Sequence, residues 1–224
     1  MQLEKITNQR RSEEKRRYDD ACGLAHALDL IGDRWAMLVL RELAYGPRRF
    51  SELKTDLQGI SANVLTQRLT ELEGRGLVRK TRLAPPASVQ VYGATDWGLE
   101  AIPVIASLGK WAARSPLHDP TLPMGHVSMI MSLQTLLSPA LAKGLDARIG
   151  FRMGDASYVT TVHDGRLDVE RREAADCDVT FTGSSNALAA VIHGGAPLET
   201  IGVNGDMALA KRFVTLFPLP SKVS

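Results

Sequence analysis

The spacing of apolar positions predicts that the first half of the chain is built of short helices. The clearest case is the stretch 60–76, where Leu65, Leu69 and Leu72 recur at intervals of four and three and form one apolar stripe. Ser61 is a preferred residue for the position before a helix, and the glycines that close the stretch are typical of a helix end. The pattern therefore predicts one helix that buries its leucines and leaves its other side in solvent.

The polar side of this helix carries residue types that can hydrogen-bond base edges or phosphates when a helix lies in a DNA major groove. An ordinary solvated helix face would have the same polarity, so the neighbouring segments must decide between the two interpretations. The outward positions are predicted to be Asn63, Thr66, Gln67, Arg68 and Thr70.

Three shorter apolar patterns come before this helix and predict three more helices. They span about 21–31, 33–43 and 50–57, and Arg48 and Arg49 lie directly before the third. A tight, glycine-containing turn then joins the third helix to the fourth. Two helices joined in this way, the second with a polar outward face, form a helix-turn-helix pattern.

Two strand-like segments, 77–83 and 89–92, follow the fourth helix and predict a hairpin with a proline-rich turn. A hairpin after a helix-turn-helix is a wing, and its Arg79, Lys80 and Arg82 could reach phosphates. Charged residues on strand edges also protect against aggregation, so a purely structural hairpin remains an alternative.

The predicted DNA contacts fall into two groups. Gln67 and Arg68 are expected to contribute to operator recognition, whereas Arg48, Arg49 and Arg82 are expected to bind mainly backbone phosphates. The complete predicted interface is Arg48, Arg49, Ser61, Asn63, Thr66, Gln67, Arg68 and Arg82.

Length and charge narrow the class of protein. The 224 residues are enough for two domains that each bury a core. Residues 1–115 carry 18 Lys and Arg against 14 Asp and Glu, whereas residues 116–224 carry 9 against 11. The basic excess therefore lies in the half that contains the predicted helix at 60–76.

Residues 1–20 are a charged arm without the apolar core of a signal peptide, and no apolar run reaches the roughly 20 residues of a membrane span. We expect a cytoplasmic protein without membrane contact.

Short motifs occur in a fixed order over about residues 20–115. They are Cys22, Gly32-Asp33-Arg34-Trp35, Gly46-Pro47-Arg48-Arg49-Phe50, Ile60-Ser61, Leu65-Thr66-Gln67-Arg68-Leu69, Pro85-Pro86, Tyr92 and Thr95. Together they resemble the HxlR-type winged-helix transcription regulators, relatives of the MarR group. The resemblance implies a regulator that binds a double-stranded DNA operator as a homodimer.

A longer helix is predicted from Thr95, with Pro103 either bending it or marking a restart. Its apolar side carries Leu99, Ile102, Ile105, Leu108 and Trp111, which is more apolar surface than a small domain needs. Core packing and dimerisation both account for this surface. The family resemblance implies that the helix pairs with its symmetry mate.

Cys22 lies at the start of the first predicted helix, where the helix dipole can lower the pKa of a thiol. The resemblance implies a redox or electrophile sensor at this position. A cysteine packed at a helix end is the structural alternative. Gly23 departs from the family pattern, which commonly has proline after this cysteine.

A proline-bearing linker at 116–124 is predicted to lead into a second domain, residues 125–224. That domain should hold a helix, strands at 147–153, 156–163, 166–170 and 178–181, a helix capped by Ser184 and a last helix capped by Asp206. The predicted fold class is therefore α+β throughout, with an N-terminal winged helix-turn-helix domain at 21–115 followed by this α+β domain.

The second domain has short motifs at 163–166, 177–184 and 202–206 that resemble sterol-carrier-protein-type domains. This resemblance implies a cavity for a small apolar ligand, whereas a plainly filled core is the alternative. The candidate apolar set is Phe151, Met153, Val191, Ile192, Phe213, Leu216 and Phe217.

Enzymatic and metal chemistry are not indicated by the sequence. It has no nucleophile elbow, phosphate-binding loop or dinucleotide fingerprint, and its five histidines lack ligand spacing. We expect no cofactor, and we expect Cys177 to be buried in an apolar strand. The competing class is a lipid carrier whose N-terminal module serves assembly, and the cluster of basic residues in the first half argues against it.

Overall fold

The computed structural model describes residues 18–85 and 88–223, and the chain divides into two compact units. The first unit comprises the residues up to Leu43 together with Pro47–Leu99, and the second comprises Ala44–Gly46 and the residues from Glu100 onward. The predicted charged arm at 1–20 lies outside the described residues except for its last three positions. The division falls before the predicted linker, because the helix that follows Glu100 has its contacts in the second unit.

Within the described residues, the first unit has four helices followed by a hairpin and a short helix. Its elements are α1 (Gly23–Ile31), α2 (Ala36–Glu42), α3 (Phe50–Asp56), α4 (Ala62–Gly74), β1 (Val78–Arg82), β2 (Gln90–Ala94) and α5 (Asp96–Glu100). This order confirms the predicted winged helix-turn-helix.

Helix α4 has the start and the buried face that its sequence predicts. The Ser61 hydroxyl accepts a hydrogen bond from the Val64 backbone N–H at 3.2 Å, which satisfies one of the free donors at the helix start. Leu65, Leu69 and Leu72 are buried, so the opposite side of the helix is the one that meets solvent.

The wing is joined to the segment before α3 by backbone pairing. Strands β1 and β2 are antiparallel, with Val78 opposite Ala94 and Arg82 opposite Gln90. Arg48 and Tyr92 exchange two backbone hydrogen bonds of 2.8 Å, which fix the hairpin against the turn that precedes α3. The wing therefore has a defined position within the first unit.

The second unit is an α+β fold built on a five-stranded sheet. Its elements are α6 (Ile102–Ala112), α7 (His126–Leu136), β3 (Ala147–Met153), β4 (Ala156–His163), β5 (Arg166–Glu170), β6 (Val179–Thr182), α8 (Ser185–Gly194), a short 3-10 helix (Leu198–Thr200), β7 (Gly202–Gly205) and α9 (Met207–Phe213). The strand order is β5-β4-β3-β6-β7, antiparallel except where β3 pairs with β6. Strand β7 is an element that the sequence analysis did not predict.

Aromatic rings pack against one another in the core of the second unit. Phe151 stacks on Phe181 with ring centroids 5.6 Å apart, and Phe213 meets Phe217 edge to face at 4.9 Å. All seven side chains of the candidate apolar set lie in this buried cluster. Their packing matches the filled-core alternative for these positions.

Helix α6 is a separate helix that starts after α5, and Pro103 lies in its first turn. Pro103 therefore marks a helix restart, because proline is tolerated where the backbone N–H has no helical partner.

Beyond α6, the Lys222 ammonium donates hydrogen bonds to the carbonyls of Ala113, Ser115 and His118 at 3.0, 3.0 and 3.2 Å. None of the helices in the described ranges is both long enough and apolar enough to span a bilayer.

Candidate nucleic-acid interface

The solvent side of α4 is a short row of polar side chains. Asn63, Thr66 and Gln67 are exposed, as is Ser61 at the helix start. The Thr66 hydroxyl donates to the Ala62 carbonyl at 2.9 Å, which leaves its oxygen lone pairs outward as acceptors. We name this face, formed by Ser61, Asn63, Thr66 and Gln67, the reading face.

Arg68 does not belong to the reading face, so its predicted outward position is wrong. Its side chain is 6% exposed, and its Nη1 lies 2.9 Å from the Asp33 carboxylate and 2.6 Å from that of Glu71. Two carboxylates draw the guanidinium inward, because a buried cation needs charged partners. Arg68 therefore holds α4 to the turn after α1 instead of facing a base.

Arg48 is the second corrected position. It is 3% exposed, and its guanidinium forms ion pairs with Asp56, with Glu52 at 3.5 Å and with Glu42 at 4.0 Å. Three carboxylates around one buried cation leave it no route to a DNA phosphate. Arg48 joins α2 to α3, and its predicted role as a phosphate contact is wrong.

Arg49 and the wing supply four exposed cations. Arg49 precedes α3 and is exposed, and Glu52 accepts a hydrogen bond from its backbone N–H at 2.7 Å. Arg79, Lys80 and Arg82 are also exposed, and the Arg82 Nε donates to the Ser88 carbonyl at 3.0 Å. These four exposed cationic side chains are of the type that contacts backbone phosphates.

Glu71 is a site residue that the sequence analysis missed. It accepts hydrogen bonds from the Gln67 Nε2 and the Arg68 Nη2, both at 3.0 Å. The spacing carried the signal, because residues three and four apart are neighbours on a helix surface. Glu71 thus links the exposed Gln67 to the buried Arg68.

Cys22 lies immediately before α1 and is exposed. The backbone N–H groups of Ala25 and Leu24 lower the pKa of its thiol, because they stabilise the thiolate. A solvent-accessible thiol with a lowered pKa has the character of a reactive cysteine.

Cys177 has the opposite environment. It precedes β6 and is half-buried, so its predicted place within a buried strand is wrong. Burial raises the pKa of its thiol. Within residues 18–85 and 88–223, no group of three or more His, Cys, Asp or Glu side chains is arranged to hold a metal ion.

Comparison with known proteins finds relatives for the first half of the chain. A family model described as HxlR-like helix-turn-helix matches residues 30–118. The HTH-type transcriptional regulator YvaP of Bacillus subtilis (strain 168) is 37% identical over 87 residues, which cover 38% of this chain and 80% of that protein. YkvN, another HTH-type regulator of the same organism, is 39% identical over 92 residues, covering 41% and 77%. The reduced form of the transcriptional regulator YodB from B. subtilis is 29% identical, covers 45% of this chain and all of that chain, and has a TM-score of 0.40.

Proposed function

The chain belongs to the HxlR-like helix-turn-helix family of transcriptional regulators, and on that premise we propose that it binds its DNA operator as a homodimer. In this proposal α4 lies in the major groove and the reading face contacts base edges. Arg49, Arg79, Lys80 and Arg82 bind backbone phosphates on either side.

The reading face carries the DNA-binding part of the proposal. Helix α4 has 13 residues and is therefore about 20 Å long, which suits a helix that enters a major groove. Gln67 and Asn63 each present both a donor and an acceptor to solvent, and such side chains can distinguish base pairs. A lipid carrier with an N-terminal assembly module would need no such combination of amide side chains and flanking cations.

The dimer part of the proposal rests on α6. This helix has no buried residue within the chain, and Val104, Leu108 and Trp111 are 63%, 45% and 69% exposed. Apolar side chains gathered at helical spacing on one exposed helix mark an interaction surface. Two copies joined symmetrically through it would present two reading helices to half-sites about one DNA turn apart.

The proposal also covers how DNA binding by the dimer is regulated. Modification of Cys22 is supported by the exposure of its thiol and by its lowered pKa. Tuning by a small apolar ligand in a sterol-carrier-like second unit is supported by the α+β architecture and by the short motifs given above. To bind, the ligand would have to separate the packed side chains around Phe151 and Phe213. To regulate DNA binding, it would have to favour one arrangement of the reading helices over another.

The proposal is tested by selecting duplexes from a random library with the full chain and measuring their affinities. We expect sites with two related half-sites one helical turn apart. Gln67→Ala should weaken the selected site by about 5- to 150-fold, equivalent to about 1–3 kcal/mol, and should leave binding to an unrelated duplex unchanged. If the wild-type protein enriches no sequence, the proposed function is refuted.

A further inference from the structure

We infer that Glu71 orients the Gln67 carboxamide so that Gln67 reads an adenine in each half-site. The inference rests on the proposed function, and it adds which base the helix reads and which side chain sets that preference. Glu71 is a positioning residue here, since it acts through Gln67.

The contact between the two side chains fixes which end of the amide faces Glu71. The Gln67 Nε2 lies 3.0 Å from the Glu71 Oε1. An ionised carboxylate offers only acceptors, so the amide must turn its NH2 group toward it. The carbonyl oxygen of Gln67 is thereby directed away from Glu71, and a flipped amide would set two acceptors against each other.

Glu71 can impose this orientation because it is itself held on its inner side. The Arg68 guanidinium approaches both of its oxygens, with Nη2 to Oε1 at 3.0 Å and Nη1 to Oε2 at 2.6 Å. Such a two-point contact is directional as well as attractive. Arg68 is anchored in turn by Asp33 at 2.9 Å, so a chain of charged contacts runs from the turn after α1 to the reading face.

The oriented amide matches adenine in the major groove. Adenine presents the N6 amino donor beside the N7 acceptor, and a glutamine pairs with both through its carbonyl oxygen and one N–H. Only one N–H of Gln67 bonds to Glu71, so the second N–H and the oxygen stay available. Guanine presents two acceptors, O6 and N7, and would require both N–H groups, one of which is already engaged.

The test uses the full chain and compares Glu71→Ala with Glu73→Ala, a matched control that removes an exposed carboxylate two residues along the same helix. Base preferences are obtained by enrichment from a random duplex library. We expect the wild-type protein and Glu73→Ala to prefer adenine at one position of each half-site, and Gln67→Ala to lose that preference. Glu71→Ala should reduce it by about tenfold at that position alone, within the range of a single bidentate base contact.

Base analogues keep the inference testable even if Glu71→Ala unfolds, which thermal unfolding would reveal. In the selected duplex, the adenine is replaced by 7-deazaadenine, which lacks N7, or by purine, which lacks the N6 amino group. Each should weaken wild-type binding about tenfold and leave Gln67→Ala binding unchanged. A Glu71→Ala profile identical to that of Glu73→Ala overturns the inference, and so does a wild-type protein indifferent to both analogues. A wild-type protein that selects no sequence would instead overturn the proposed function.

Discussion

Arg48 and Arg49 are neighbours in sequence, yet Arg48 is buried among three carboxylates and Arg49 extends into solvent. The extended backbone at Arg49, just before α3, accounts for the difference, because successive side chains of an extended segment point to opposite sides. One arginine therefore holds helices together, and the other is available to a partner.

Replacing Arg48 should lower the stability of the fold, whereas replacing Arg49 should weaken DNA binding. Arg48→Ala removes the buried cation that Glu42, Glu52 and Asp56 share, although Arg41 still contacts Glu42 at 2.6 Å, and breaking a buried pair costs up to about 3–5 kcal/mol. We expect a large fall in the melting temperature. Arg49→Ala should keep the melting temperature and should lower the slope of log affinity against log salt by about 1. A stable Arg48→Ala protein would contradict the assignment.

The dimer is tested by Leu108→Glu. A charge at the centre of an apolar interface cannot be paired when two copies meet, so we expect monomers in analytical ultracentrifugation and loss of high-affinity operator binding. Leu141→Glu is the matched control, because Leu141 is also about half exposed but lies away from α6 in sequence. A folded Leu108→Glu protein that stays dimeric rules the interface out.

The two cysteines should differ in reactivity. The lowered pKa of the Cys22 thiol and the raised pKa of Cys177 predict that iodoacetamide modifies Cys22 first, and that the contrast is largest near neutral pH. Mass spectrometry of the modified peptides measures both rates. If Cys22 is also a sensor, a quinone should change operator binding of the wild-type protein and not of Cys22→Ser. Identical responses of the two proteins would exclude the sensor.

His193 should make stability depend on pH. Burial lowers the pKa of its ring below the ordinary 6.5, and its Nε2 lies 2.9 Å from the Ser132 hydroxyl. A hydrogen bond to the Phe217 backbone acts in the opposite direction, and burial outweighs it. The unfolded chain then binds more protons than the folded chain. The stabilisation is complete above pH 6.5 and is lost as the pH falls through the lower folded-state value.

The measurement for His193 is the melting temperature as a function of pH. As the pH falls below 6.5, we expect a smaller slope for His193→Gln than for the wild-type protein. His118→Gln, which changes an exposed histidine, should keep the wild-type slope. Equal slopes for all three proteins would show that His193 stays accessible to protons when folded.

Local signals were sufficient to predict the elements around the reading face. Ser61 and the leucines of α4 specify where that helix starts and which side it buries, and both depend on residues a few positions apart. Ser184 and Asp206 cap α8 and α9 as predicted, because a helix cap is likewise a local contact. Elements of this kind can be predicted from a single sequence.

Two of the features that the sequence analysis missed, the burial of Arg68 and strand β7, depend on distant partners. Arg68 is polar and lies beside the apolar stripe of α4, and the distant Asp33 joins the local Glu71 in making its burial favourable. Strand β7 contains two glycines and has no alternating pattern, so its strand geometry comes from pairing with β6. Neither partner could be inferred from the segments themselves.

The parallel pairing of β3 with β6 sets the order in which the second unit can fold. Strands β3, β4 and β5 are connected by tight turns and can form as a local meander. Strand β6 must close a much longer loop before Ile149 meets Val179, and such closure costs entropy before any contact offsets it. We expect β6 and β7 to join the sheet last, so that in refolding followed by pulsed hydrogen exchange their amides become protected after those of the meander.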